Sequence, residues 1–134
     1  MTVPAHSGTT PVCEPAALDI SGWIAHWAQW TPGQTALRFE GRCVTYAELA
    51  SAVRRAAAWL AASGVSRGDR VAYLGPNCPE LLELLFACAS MGAIFVPLNA
   101  RMPAAELRVF LAATRPRLVV AENGFRDVAL ASAG

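Results

Sequence analysis

The chain has 134 residues, with 11 arginines, no lysine, 10 acids, 27 alanines and a net charge of +1. Hydrophobic residues make up 54% and charged ones only 16%, against about 25% charged in ordinary globular domains, which excludes a disordered chain. The arginines are scattered and form no basic stripe, which excludes nucleic acid as the main partner.

Residues 1–17 carry Pro4, Pro11 and Pro15, with no basic start and no apolar run. They read as a flexible leader, not a signal peptide. Leu18 to Thr31 predicts an amphipathic helix, because Ile20, Trp23, Ile24, Trp27 and Trp30 recur at helical spacing. Pro32-Gly33 stops it. The tryptophan face is expected to dock on the chain's own core. Peripheral membrane contact is the weaker reading, since the helix has no lysine or arginine to meet anionic lipid.

Ala36 to Glu40 and Cys43 to Thr45 predict a short hairpin turning at Glu40-Gly41. Thr45 and Glu48 then have capping-box spacing, in which each side chain satisfies a free backbone N–H of a helix's first turn. Leu49, Val53, Ala57 and Leu60 form that helix's apolar stripe, and Gly64 is placed as its left-handed stop.

An alternation follows. Strands are expected at Arg70 to Gly75, Ala93 to Leu98 and Arg117 to Ala121, with helices at Pro79 to Met91 and Pro103 to Thr114. In the second helix Leu107, Phe110, Leu111 and Thr114 share one side. Asn123-Gly124 leads into a weakly helical tail over 123–134. Short apolar strands separated by helices predict an α/β fold with parallel pairing and right-handed crossovers. Leu81 to Leu98 could pass for a membrane span, but Gly92 ends the helical pattern and Pro97 lies inside it. No transmembrane segment is expected. The helix from Pro79 is apolar almost all round, so it and the strand after it are expected to need more cover than this chain supplies.

Few residues suggest chemistry. The cysteines Cys13, Cys43, Cys78 and Cys88 form no CxxC pair, and His6 and His26 form no metal pair. Reduced thiols in a cytoplasmic protein are expected. No strand–glycine–helix phosphate loop is present, and a Walker loop needs a lysine.

The strongest signals form an ordered series. It runs Thr45-Tyr46-Ala47-Glu48-Leu49, Gly68-Asp69-Arg70-Val71-Ala72 and Pro76-Asn77-Cys78-Pro79-Glu80. It continues through Gly92-Ala93-Ile94-Phe95-Val96-Pro97-Leu98-Asn99, Arg101, Glu106-Leu107 and Arg117-Leu118-Val119-Val120. In this order and spacing the series, over residues 18–122, closely resembles the N-terminal part of the adenylate-forming, AMP-binding enzymes. It looks most like the fatty-acid and aryl-acid CoA ligases.

The resemblance implies an acid activated by ATP to an acyl-adenylate, with loss of pyrophosphate, then passed to the thiol of coenzyme A. It implies ATP, Mg2+ and coenzyme A for a full-length relative. In that family a Ser/Thr/Gly-rich loop ending in lysine holds the phosphates, a later aspartate holds the ribose, an acidic residue serves magnesium, and a lysine in a small C-terminal domain assists adenylation. All lie beyond the matched region, and this chain has no lysine.

The expectation is therefore an N-terminal fragment, inactive alone, whose partner is the remainder of the ligase domain on the same or a separate chain. The alternative is a non-catalytic protein-interaction module derived from that fold. No catalytic, cofactor-binding or metal-binding residue is assigned. Thr45 and Glu48 cap a helix, Gly68 and Asp69 turn the chain, Asn77 or Cys78 caps the helix at Pro79, and Gly92 ends it. Ser7-Gly8-Thr9-Thr10-Pro11 imitates the start of the phosphate loop, but no strand precedes it and no lysine follows.

Overall fold

The computed structural model describes residues 20–133. The leader, with Cys13 and the Ser7–Pro11 imitation, lies outside the described residues. In chain order the elements are α1 (Ile20–Trp30), β1 (Thr35–Phe39), β2 (Arg42–Thr45), α2 (Tyr46–Ala62), β3 (Arg70–Leu74), α3 (Pro79–Met91), β4 (Ile94–Leu98), α4 (Ala104–Thr114), β5 (Leu118–Ala121), a 3-10 turn (Asn123–Phe125) and α5 (Arg126–Ala133).

Local chemistry sets most of these boundaries. β1 and β2 form the antiparallel hairpin. Glu40 and Gly41 take φ of 48° and 78°, the left-handed pair that a two-residue hairpin turn requires. Thr45 caps α2 with both halves of the capping box in place. Pro79 opens α3, and Gly92 closes it at φ 67°, a conformation that glycine adopts without strain. The cap before Pro79 differs from the expectation: Cys78 is the N-cap residue, and its side chain makes no capping bond. Its sulfur turns to Tyr73 instead.

β3, β4 and β5 form a parallel sheet in the order β4-β3-β5. β3 is the central strand, and its alternate residues feed two cores. Val71 and Tyr73 pack with Leu49 and Leu60 of α2 and with Ala87 and Cys88 of α3. Ala72 and Leu74 pack with Leu107 and Leu111 of α4 and Ala129 of α5. Helices therefore cover both faces, which is why β3 is apolar at every position from Val71 to Leu74. The two crossovers step in opposite directions across the sheet. Right-handed crossovers that do so must lie on opposite faces, as α3 and α4 do.

Three burial expectations need correction. α1 rests on its neighbours through Ile24, while Trp23, Trp27 and Trp30 are 48%, 46% and 73% exposed. A helix lying at the margin of α2 and α3 offers them only part of its circumference, and its apolar face is wider than that contact. On α4, Leu107 and Leu111 are buried but Phe110 is exposed. α3 is better covered than expected, with Leu84, Ala87 and Cys88 buried beneath α1 and α2. The uncovered apolar surface sits on α1, on α4 and at Ile94 of β4.

Candidate functional site

Because the chain leaves β3 toward one face and β4 toward the other, the loops that follow these neighbouring strands part from each other. In open α/β sheets the crevice opened at the carboxyl ends of such strands is the usual ligand position. A cleft of about 490 Å3 lies there. Gly75, Pro76 and Asn77 form one wall, Asn99, Ala100 and Arg101 form the other, and Phe125 of the 3-10 turn closes the end.

Both walls are held by short bonds. The Asn99 side-chain oxygen accepts from the Arg101 N–H at 2.9 Å, and the Asn99 carbonyl accepts from the Met102 N–H at 3.0 Å. On the other wall the Tyr73 hydroxyl donates to the Pro76 carbonyl at 3.1 Å and lies 3.1 Å from Cys78 Sγ. Tyr73 itself is buried. Burial, then the contact with Cys78, pushes its phenol well above the ordinary tyrosine value, so it stays protonated and acts as a structural donor. Gly75 passes so close to the Tyr73 ring that a side chain there has no room.

The cleft can bind but is poorly equipped to react. Among the described residues that line it, Arg101 carries the ionisable side chain, and Asn77 and Asn99 supply amides. These groups suit a polar or anionic ligand. None serves as nucleophile or general base at neutral pH. Of the thiols, Cys43 is exposed on β2, Cys78 is half-buried behind Pro76, and Cys88 is buried in the core. Burial pushes the Cys88 thiol up to about 11, which makes it inert. Among the described residues no three of His, Cys, Asp and Glu converge as a metal site. No described helix is long and apolar enough to cross a membrane.

Sequence reading placed Asn77, Asn99 and Arg101 on loops and did not bring them together. The missing signal was strand order. Once β3 and β4 are neighbours with crossovers on opposite faces, their following loops must flank one crevice.

The chain's relatives agree with this architecture. The family model for the AMP-binding enzyme matches residues 24–133. The indoleacetate–CoA ligase of Aromatoleum aromaticum is 46% identical over 82% of this chain and 23% of its own length. The feruloyl-CoA synthase of an Amycolatopsis species is 52% identical over 66% of this chain and 18% of its own. Among solved structures, the Mycobacterium tuberculosis fatty acyl CoA synthetase superposes with a TM-score of 0.80 at 30% identity, covering 84% of this chain and 23% of that one. The chain thus spans about a fifth of the length of the curated relatives it matches.

Proposed function

The chain belongs to the AMP-binding enzyme family, and on that premise we propose that it is the N-terminal segment of an AMP-forming ligase joining a fatty or aryl carboxylic acid to coenzyme A. In this reading the segment supplies scaffold and one wall of a binding cleft. The ATP, magnesium and acyl sites belong to the remainder of the ligase domain, on the same or a separate chain. No residue of the segment carries a step of the chemistry. The observation behind this is the composition of the cleft, where Arg101 is the ionisable side chain and the chain has no lysine. A group of that kind can hold a ligand but cannot preorganise the field that adenylation needs.

The purified chain, given ATP, magnesium, coenzyme A and a panel of fatty and aryl acids, is expected to release no acid-dependent AMP. Fused to the part of the Aromatoleum indoleacetate–CoA ligase that follows its matched segment, it is expected to give acid-dependent exchange of pyrophosphate into ATP. Activity of the chain alone would overturn the assignment of the chemistry to other parts. A second reading, a non-catalytic interaction module, is favoured by the exposed tryptophans of α1. An inactive fusion together with a self-sufficient, monomeric chain would support it.

A further inference from the structure

The sheet has two edges, and they are not equivalent. Successive N–H groups along a strand point to alternate sides. The Ile94 N–H donates to the Asp69 carbonyl at 2.8 Å, so even-numbered residues of β4 face β3, and the N–H positions of Phe95 and Pro97 lie on the outer edge. Proline has no N–H, and within sheets it is confined to edges for that reason. Pro97 therefore blunts the free edge of β4 against a further strand.

The opposite edge carries no such block. The Arg117 N–H donates to the Arg70 carbonyl at 2.7 Å. Odd-numbered residues of β5 thus face β3, and the N–H groups of Leu118 and Val120 point to the outer edge. No described strand pairs with that edge. All four residues of β5 are half-buried by the helices on either face.

The course of the chain adds a direction. α5 packs on α4 and β5 and joins the same core as Leu107 and Leu111, so it lies on the α4 face. The crossover through α4 moved from β4 past β3 to β5. A further right-handed crossover on that same face must continue the same way. Its length also suits a return: eight helical residues rise about 12 Å at 1.5 Å each, against about 13 Å for the four residues of β5 at 3.3 Å each.

We infer that the outer edge of β5, Leu118 to Ala121, is the acceptor for one further parallel strand, supplied by the polypeptide that completes the ligase domain. This rests on the ligase-segment reading above. The edge of β4 is the terminus of the sheet.

Hydrogen exchange on the fusion with the Aromatoleum remainder tests the assignment, with the free chain as reference. The Leu118 and Val120 amides are expected to exchange at least tenfold more slowly in the fusion than in the free chain, and the Phe95 amide to change little. Val120→Pro in the fusion removes an outward N–H while sparing the bonds to β3, and is expected to lower pyrophosphate exchange and thermal stability more than Phe95→Pro does. An active fusion with Leu118 and Val120 exchanging as in the free chain, or with the new protection at Phe95, overturns the edge assignment alone. A folded fusion with no exchange activity overturns the ligase-segment reading on which it rests.

Discussion

A Cβ placed on Gly75 would stand 2.6 Å from the hydroxyl oxygen of Tyr73 and 2.9 Å from its ring carbon Cζ. The phenol cannot swing aside. It is buried, it holds the Pro76 carbonyl, and its ring lies 6.3 Å from that of Phe95. The wall of the cleft after β3 therefore depends on a missing side chain. Gly75→Ala is expected to destabilise the fold by about 1–3 kcal/mol, the usual cost of overpacking. Adding Tyr73→Phe removes the nearer of the clashing atoms, so the double variant should lose less than the sum of the two single losses. Urea melts of the four proteins measure this. A Gly75→Ala protein as stable as the parent would show that the ring has room to move.

The capping box of α2 gives a pH-dependent prediction. The Glu48 carboxylate accepts from the Thr45 N–H at 2.8 Å and from its hydroxyl at 2.9 Å. These two bonds, the backbone one foremost, hold the carboxyl below its ordinary 4.5. A depressed value in the folded state means that the contribution is present above the unfolded value and is lost as pH falls through the folded one. Glutamine can take the same capping position without the charge. Glu48→Gln should therefore be less stable than the parent at pH 7, and the gap should close as the pH drops below 4.5. Thr45→Ala should cost about 1 kcal/mol at neutral pH. A gap between parent and Glu48→Gln that is constant from pH 7 to pH 3 would contradict the charged cap.

Much of this architecture was legible because its signals are local. Thr45 with Glu48, Glu40 with Gly41, and Pro79 with Gly92 each fix a boundary through backbone bonds or allowed φ within a few residues, and each stands where the pattern placed it. The parallel pairing followed from strands separated by helices. What was hidden depends on neighbours distant in sequence. Periodicity marks the apolar face of α1 but does not say how wide a surface meets it, so Trp30 read as core and lies 73% exposed. Phe110 has the same periodicity as Leu107 and Leu111, yet only the latter two reach β3. The cleft was hidden because it needs the order β4-β3-β5, and order is a property of the assembled sheet.

The thiols should divide by burial. Cys43 is exposed on β2, whereas Cys88 is fully buried with its thiol pushed up to about 11. The thiolate is the reactive form, so at pH 8 iodoacetamide should modify Cys43 readily and leave Cys88 intact until the protein unfolds. Peptide mapping over time in native buffer and in urea separates the two. Equal rates at Cys43 and Cys88 in native buffer would show that the core beneath α3 opens far more easily than its packing implies.

The face of α1 gives the final prediction, because anchoring and exposure fall on different residues of one helix. Ile24 is 8% exposed and holds α1 to the core shared with Leu49 and Leu60. Trp30 is 73% exposed, and Trp59 of α2 is 49% exposed. Ile24→Ala should cost about 2–5 kcal/mol, the range for truncating a buried aliphatic side chain. Trp30→Gln and Trp59→Gln should change stability by no more than about 0.5 kcal/mol, as surface substitutions do. The surface variants should nevertheless alter solution behaviour. Contiguous exposed apolar area drives association and binds hydrophobic dyes, and the isolated chain shows such residues at Ile20, Trp23, Trp27, Trp30 and Trp59. The parent should elute from a sizing column as an oligomer and enhance dye fluorescence, while the Trp30→Gln, Trp59→Gln double variant should show less of both with an unchanged melt. A parent that elutes as a monomer and leaves the dye dark would mean that these tryptophans cover one another in solution and offer no surface to a partner.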